Sequence, residues 1–213
     1  MNPRSIPMPH PGRPLSAVEE VDLAAIRRLM QAWGFARDSG DWDILADLFH
    51  PEGHIAVSWF NGPYAGFVET CRARPSVSFS KHAMAGTRIA LNGPRAVAET
   101  DVLLFMRGTV EGVEVVGETV MRFLDRIERR EDGIWRLLDR VALYDHDSMA
   151  PAIPGTVVPI RAEELAGDAP GHRFIAWRLR KAGRTVPHDL PGRGSPAEAA
   201  LRAEAVAWLE AAE

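Results

Sequence analysis

A chain of 213 residues, 46% hydrophobic and 25% charged, can bury one substantial core with appendages and is too short for more than two small domains. Its net charge of −4 and pI near 6.0 exclude a general electrostatic attraction to nucleic acid or to anionic lipid. The single cysteine, Cys71, excludes an intrachain disulfide; with no secretion signal or membrane-spanning run at its start, the chain is expected to be cytoplasmic.

The chain opens with an extended arm over 1–18, punctuated by Pro3, Pro7, Pro9, Pro11 and Pro14, whose fixed φ and missing N–H oppose regular structure. Ser16 and Glu19 have the spacing of a reciprocal helix cap, and Leu23, Ile26, Met30 and Trp33 then recur with helical period to about Asp38. Asp38 falls at the border of the stripe carrying Met30 and Gly34, which turns its carboxylate over the core. Ser39 and Gly40 break this helix, and Asp41 is placed to cap a second over 42–49, with Trp42, Leu45, Leu48 and Phe49 near one face and Pro51 ending it. His50 and His54 are spaced for a metal on a helix, but Pro51 and Gly53 lie between them, so no metal site is expected. A strand over 54–60, a turn at Asn61-Gly62-Pro63 and a helix over 67–72 complete this part.

Four long strands follow, over 76–91, 95–107, 113–129 and 134–144, joined by Asn92-Gly93, Glu111-Gly112 and Asp132-Gly133 turns into an antiparallel meander. In the first, Ser78, Ser80, His82 and Met84 share one face, and an imidazole facing a cavity there is an acid or base near neutral pH; the competing reading is a hydrogen-bonded core histidine. In the last, Arg140 and Tyr144 share a face with Arg136, Leu138 and Ala142. Asp145-His146-Asp147 reads as a loop cap, because adjacent residues rarely converge on one ion. The extension over 151–213 is rich in proline and glycine. Its basic-aromatic segment at 172–184 is expected to form a solvated edge strand or a subunit contact, and Ser195-Pro196-Ala197-Glu198 opens a terminal helix through Trp208. With so little apolar periodicity, this extension is expected to cover the main domain or a neighbouring subunit.

The segments ARDSGDWDILADLFHPEG, GPYAGF, SKHAMAG and ERREDGIWRLLDRVALYD, set in this order of helices and strands, resemble the SnoaL-like branch of the nuclear transport factor 2-like superfamily. The resemblance spans about residues 19–150 and implies an α+β, cone-shaped fold: a barrel-like, long, curved antiparallel sheet packed on N-terminal helices. Within that superfamily the chain is most similar to cofactor-independent lyases and dehydratases acting on hexachlorocyclohexane, bile acids and scytalone. That likeness implies that Asp38 orients His82, that His82 removes a proton, and that Arg140 assists the leaving group or holds the substrate; Tyr144 fits more loosely. Trp33, Trp42, Phe49, Trp59, Tyr64, Phe67, Phe79, Lys81 and Met84 are the expected substrate-binding wall. The expected function is elimination of water, halide or formaldehyde from a hydrophobic aromatic or polycyclic molecule, a lignin-derived diarylpropane among them, without cofactor and in a homo-oligomer, dimeric or trimeric. The alternative is a non-catalytic small-molecule-binding module or the small subunit of a ring-hydroxylating dioxygenase.

Overall fold

Ser16 opens helix α1 (Ala17–Ser39) with the reciprocal cap its spacing predicts: its hydroxyl accepts from the Glu19 N–H at 3.2 Å, and the Glu19 carboxylate accepts from the Ser16 N–H at 2.9 Å. The computed structural model describes residues 6, 12–73 and 79–212. Most of the expected N-terminal arm, Ser78 and the first residues of the strand expected over 76–91 therefore lie outside the described residues. Gly40, in the left-handed region at φ 75°, closes α1 by donating its N–H to Ala36. The buried stripe of α1, Ile26, Leu29, Met30 and Trp33, packs into the main core.

Helix α2 (Trp42–Asp47) ends before the expected 42–49 because Phe49 enters strand β1 (Phe49–Val57). The Leu48 carbonyl accepts from the Leu137 N–H at 2.9 Å and Phe49 pairs with Leu137, so sheet pairing replaces the last helical turn. Pro51 sits where the register shifts between Phe49 and His54, a position that needs no ladder donor. Strand β2 (Phe60–Pro63) absorbs the residues expected to turn, with His54 opposite Pro63 and Ile55 opposite Gly62. The turn falls instead at Ser58 and Trp59, and Pro63 is tolerated because β2 is an edge strand. Helix α3 (Tyr64–Arg72) starts three residues earlier than the expected 67–72.

Strands β3 (Phe79–Asn92), β4 (Arg95–Val110), β5 (Val113–Arg129) and β6 (Trp135–Pro151) form the expected meander. The six-stranded sheet runs β2-β1-β6-β5-β4-β3; β1 and β6 are parallel and every other pair is antiparallel. Register shifts in β3 and along the β5–β6 pair bend the long strands. β6 continues well past Tyr144, so Asp145, His146 and Asp147 are strand residues and not a loop; pairing with β5 as far as Val115 and Pro151 holds them extended.

The extension after β6 contributes a short 3-10 turn, Ala162–Glu164, helix α4 (Arg173–Lys181) and helix α5 (Pro196–Glu210). The segment expected as an edge strand is thus helical. Asp147 accepts from the Phe174 and Ile175 N–H groups at 2.7 and 2.8 Å, satisfying the first turn of α4, while Ile175, Ala176 and Trp177 are buried. At α5 the Ser195 hydroxyl accepts from the Glu198 N–H at 3.1 Å, but the Glu198 carboxylate reaches the Gly194 N–H at 2.5 Å, one residue before the expected partner. That carboxylate also takes Arg122 at 2.7 Å and Arg202 at 3.0 Å, tying α5 to the back of the sheet beside Leu124 and Leu143. Among the described residues no helix is long and apolar enough to cross a membrane.

Candidate active site

Asp38 stands in the last turn of α1, and Gly34, one turn earlier, determines how closely that helix approaches β3: a Cβ there would lie 2.7 Å from Met84 Cγ. At this separation the Asp38 carboxylate spans residues 44 positions away, with Oδ1 2.6 Å from His82 Nδ1 and Oδ2 accepting the His82 backbone N–H at 2.8 Å. Lys81 Nζ lies 3.4 Å from the same Oδ2. The double contact fixes both the main chain and the ring of His82. It also assigns the proton to Nδ1, leaving Nε2 as the lone-pair nitrogen, which has no hydrogen-bond partner among the described residues.

Burial pushes the His82 pKa below the ordinary 6.5, outweighing the hydrogen bond and charge of Asp38; Arg37 and Arg140 act in the same direction as burial. Burial by itself would raise the Asp38 carboxyl, but the hydrogen bonds and charge of His82, with Lys81, hold it below the usual carboxylate range. Near pH 7 the pair is therefore a neutral imidazole beside an ionised carboxylate. Trp33 meets the imidazole edge-on, with ring centroids 5.4 Å apart.

The dyad opens on a cavity of about 900 Å³. Of the residues expected to bind substrate, Trp33, Trp42, Trp59, Phe67, Phe79 and Lys81 line it, together with His82, Asp38 and Tyr144. Phe49, Tyr64 and Met84 do not. Phe49 stacks on Tyr64 with centroids 3.4 Å apart, the Tyr64 hydroxyl donates to the Leu45 carbonyl at 2.8 Å, and Met84 packs under Gly34. The Tyr144 hydroxyl accepts from the Ser58 N–H at 2.8 Å, and burial pushes its pKa up to about 12, so it stays protonated and keeps a proton to donate.

Arg140 is fully buried and is absent from the cavity wall. Its Nε and Nη2 donate to the two Asp125 oxygens at 2.7 and 2.8 Å, and its guanidinium lies 4.6 Å from the Trp33 ring and 4.3 Å from the Phe123 ring. The structure thus brings Asp38, His82 and Tyr144 to one cavity and holds Arg140 behind two of its aromatic residues. Asp125 was not anticipated, although its place between Phe123 and Ile127 on an inward-facing alternation marks a carboxylate that needs a cation. Arg37, Arg178 and Arg184 also line the cavity unanticipated. Arg37 stands beside Asp38 in the sequence, but nothing local signals the two that come from the extension. His50 and His54 both lie on β1, with His50 Nε2 3.1 Å from the Glu128 carbonyl; among the described residues no three His, Cys, Asp or Glu side chains gather as a metal site would need.

A helix-backed curved sheet enclosing an aromatic cavity with an Asp–His pair at its wall defines a cone-shaped α+β protein of the nuclear transport factor 2-like kind. The chain belongs to the SnoaL-like domain family, whose sequence model matches residues 20–141. Among solved structures it is similar to a type 2 hexachlorocyclohexane dehydrochlorinase, LinA, with TM-score 0.57, 16% identity and coverage of 68% of this chain and 100% of that one. It is also similar to a candidate scytalone dehydratase from Novosphingobium aromaticivorans, with TM-score 0.54, 19% identity and coverage of 70% and 99%. A PEP2-like protein of Fusarium vanettenii is 29% identical over 222 residues, covering 95% of each chain. Pea pathogenicity protein 2 of the same fungus is 26% identical over 197 residues, covering 87% of this chain and 84% of its own. The first of these fungal matches is long enough to include most of the extension after β6.

Proposed function

We propose that the protein is a cofactor-independent lyase in which neutral His82 takes a proton from carbon and a small fragment leaves from the neighbouring atom. The observation that carries this reading is the 2.6 Å contact of His82 Nδ1 with Asp38, which leaves Nε2 unpaired at the wall of a cavity of about 900 Å³. As Nε2 accepts the proton the ring becomes cationic, and the ionised Asp38 stabilises that cation without moving. The Tyr144 hydroxyl is placed to donate to an oxygen of the substrate or of the leaving group. Arg140, screened by Trp33 and Phe123, acts in this reading as a buried positive charge that helps to keep His82 neutral before reaction. Trp33, Trp42, Trp59 and Phe67 favour an aromatic or polycyclic substrate, and the fragment that leaves after C–H abstraction is water or halide. Formaldehyde, as from a lignin-derived diarylpropane, would instead leave when His82 takes the hydroxymethyl O–H proton: the O–H electrons form the carbonyl, and the C–C pair forms a double bond that expels a hydroxyl from the neighbouring carbon as water. The dehydrochlorinase and dehydratase named among the structural matches support the reaction type by fold alone.

The test is enzyme-catalysed α-deuteration of an aryl ketone such as 2-tetralone in deuterium oxide, followed by proton NMR. The wild type is expected to accelerate exchange and His82→Ala to lose about 10²–10⁴ of that acceleration with the fold intact by circular dichroism. Equal exchange by the two proteins would show a binding module without a base.

A further inference from the structure

The reaction outlined above gives Arg178 no task. Arg178 extends from α4, outside the segment that matches the family, and lines the same cavity as His82. Its Nη2 lies against Met106 Sδ and its buried Nε has no hydrogen-bond partner. Among the described residues no carboxylate forms an ion pair with it, whereas its helix neighbours are paired, Arg180 with Asp168 at 2.6 Å and Lys181 with Glu164 at 2.8 Å. Burial pushes its pKa down, while the neighbouring Arg180 is pushed up by its carboxylate. A guanidinium withdrawn from water without a counter-charge is destabilising, and a forked contact to an anionic oxygen removes that cost.

The rest of the wall has the same sign. Among the described residues, Arg37 too has no carboxylate partner and places its guanidinium 5.9 Å from the Trp42 ring, and Asp38, already committed to His82 and Lys81, is the only carboxylate lining the cavity. The protein as a whole carries −4, so this cationic lining is local and not a reflection of composition.

We propose that Arg178 binds an anionic oxygen group of the substrate, so that the ligand is an aromatic molecule bearing a carboxylate or phenolate and not an uncharged hydrocarbon. The position suits a bifunctional ligand. Met106, against which Arg178 rests, pairs with Ser80, and Ser80 lies on the His82 face of β3 at a spacing of about 7 Å. The anionic end and the carbon that loses its proton are thereby held at opposite ends of one or two rings. This substrate class rests on the lyase reading, whereas the binding role of Arg178 is testable without turnover.

The experiment titrates the full chain with 8-anilinonaphthalene-1-sulfonate and with its uncharged counterpart N-phenyl-1-naphthylamine, following the fluorescence of each. The readout is the ratio of the two affinities, so that a general loosening of the wall, which weakens both, does not imitate the loss of a charge contact. Arg178→Met and Arg178→Gln are each expected to lower the preference for the sulfonate by about tenfold or more, the size of a charge-assisted hydrogen bond. Lys181→Gln, which removes a charge from the same helix outside the cavity, is expected to leave the ratio unchanged, and because the ratio reads binding without turnover it is separate from the proton-transfer reading. An unchanged ratio in both Arg178 variants overturns the proposal.

Discussion

His82 owes its behaviour to two contacts that act oppositely. Burial withdraws the ring from water and lowers its pKa, while Asp38 stabilises the cation that forms only during reaction. A base of this kind is active when neutral. The pH profile of kcat/KM is therefore expected to rise through a midpoint below 6.5 and to be flat from there to neutrality, as measured in any turnover or exchange assay. The same depression has a stability consequence. The unfolded histidine titrates near 6.5 and binds protons that the native one refuses, so the stability associated with His82 is fully present above that value and falls as pH drops through the native pKa. Asp38→Asn keeps the size of the side chain but not its charge. It is expected to cost about 10²–10⁴ in turnover, and the Asp38→Asn/His82→Ala double variant should be little worse than the worse single one, because the two act on one proton.

At the scale of elements the site depends on how closely α1 lies against β3. Gly34 allows that approach, since a Cβ at this position would meet Met84 Cγ at 2.7 Å and the His82 carbonyl oxygen at 3.4 Å. Gly34→Ala removes a glycine from a helix, which by propensity alone favours folding by about 0.5–1 kcal/mol, yet it forces α1 and β3 apart beside the dyad. The expected result is nearly unchanged thermal stability with turnover reduced about 10- to 10²-fold, together with loss of the downfield proton NMR signal of the His82–Asp38 hydrogen bond. A variant that kept both turnover and that signal would show that the helix accommodates the methyl group without moving. Helix α4 follows a similar logic: Asp147, reaching across from β6, supplies the acceptor that its first turn lacks, and α4 in return supplies Ile175, Arg178 and Leu179 to the cavity.

Across the whole molecule, the extension after Ala150 contributes to both faces of the sheet. α4 completes the cavity wall on one side, and α5 covers Ala90, Val97, Leu124 and Leu143 on the other. Beneath α5, Arg122 holds Glu99, Asp145 and Glu198, and Arg202 adds ion pairs to Glu99 and Glu198. We propose that the segment is not a separate domain but a cover on the main one. Truncation after Ala150 removes two partners of this buried cluster and exposes the apolar patch. The shortened chain is expected to aggregate, or to unfold at a urea midpoint well below that of the full chain, because breaking buried ion pairs one-sidedly costs about 3–5 kcal/mol. Wild-type solubility and midpoint in the truncated protein would show that the main domain needs no cover.

The parts legible from sequence are those determined by neighbours along the chain. The Ser16–Glu19 cap, the Asn92-Gly93, Glu111-Gly112 and Asp132-Gly133 turns and the meander they join rest on local backbone preferences and alternation, and so does the placing of Asp38 on the inward border of α1. The contacts decided by tertiary structure join residues distant in sequence. Within residues 172–184, Arg173–Lys181 form a helix because Asp147 caps it and the core receives its apolar face; residues 61–63 form a strand because β1 offers an edge. Strict alternation puts Arg140 on the face of Arg136 and Leu138, opposite Leu137, but the register shift between Leu137 and Asp139 brings Ala142 to the same core as Leu137 and turns Arg140 toward it. Its depth depends on Asp125 across the ladder and on the Trp33 and Phe123 rings. The His82–Asp38 contact bridges 44 residues. Local preference determines which side chains face inward, whereas close packing between elements determines which inward-facing groups touch and which reach the cavity.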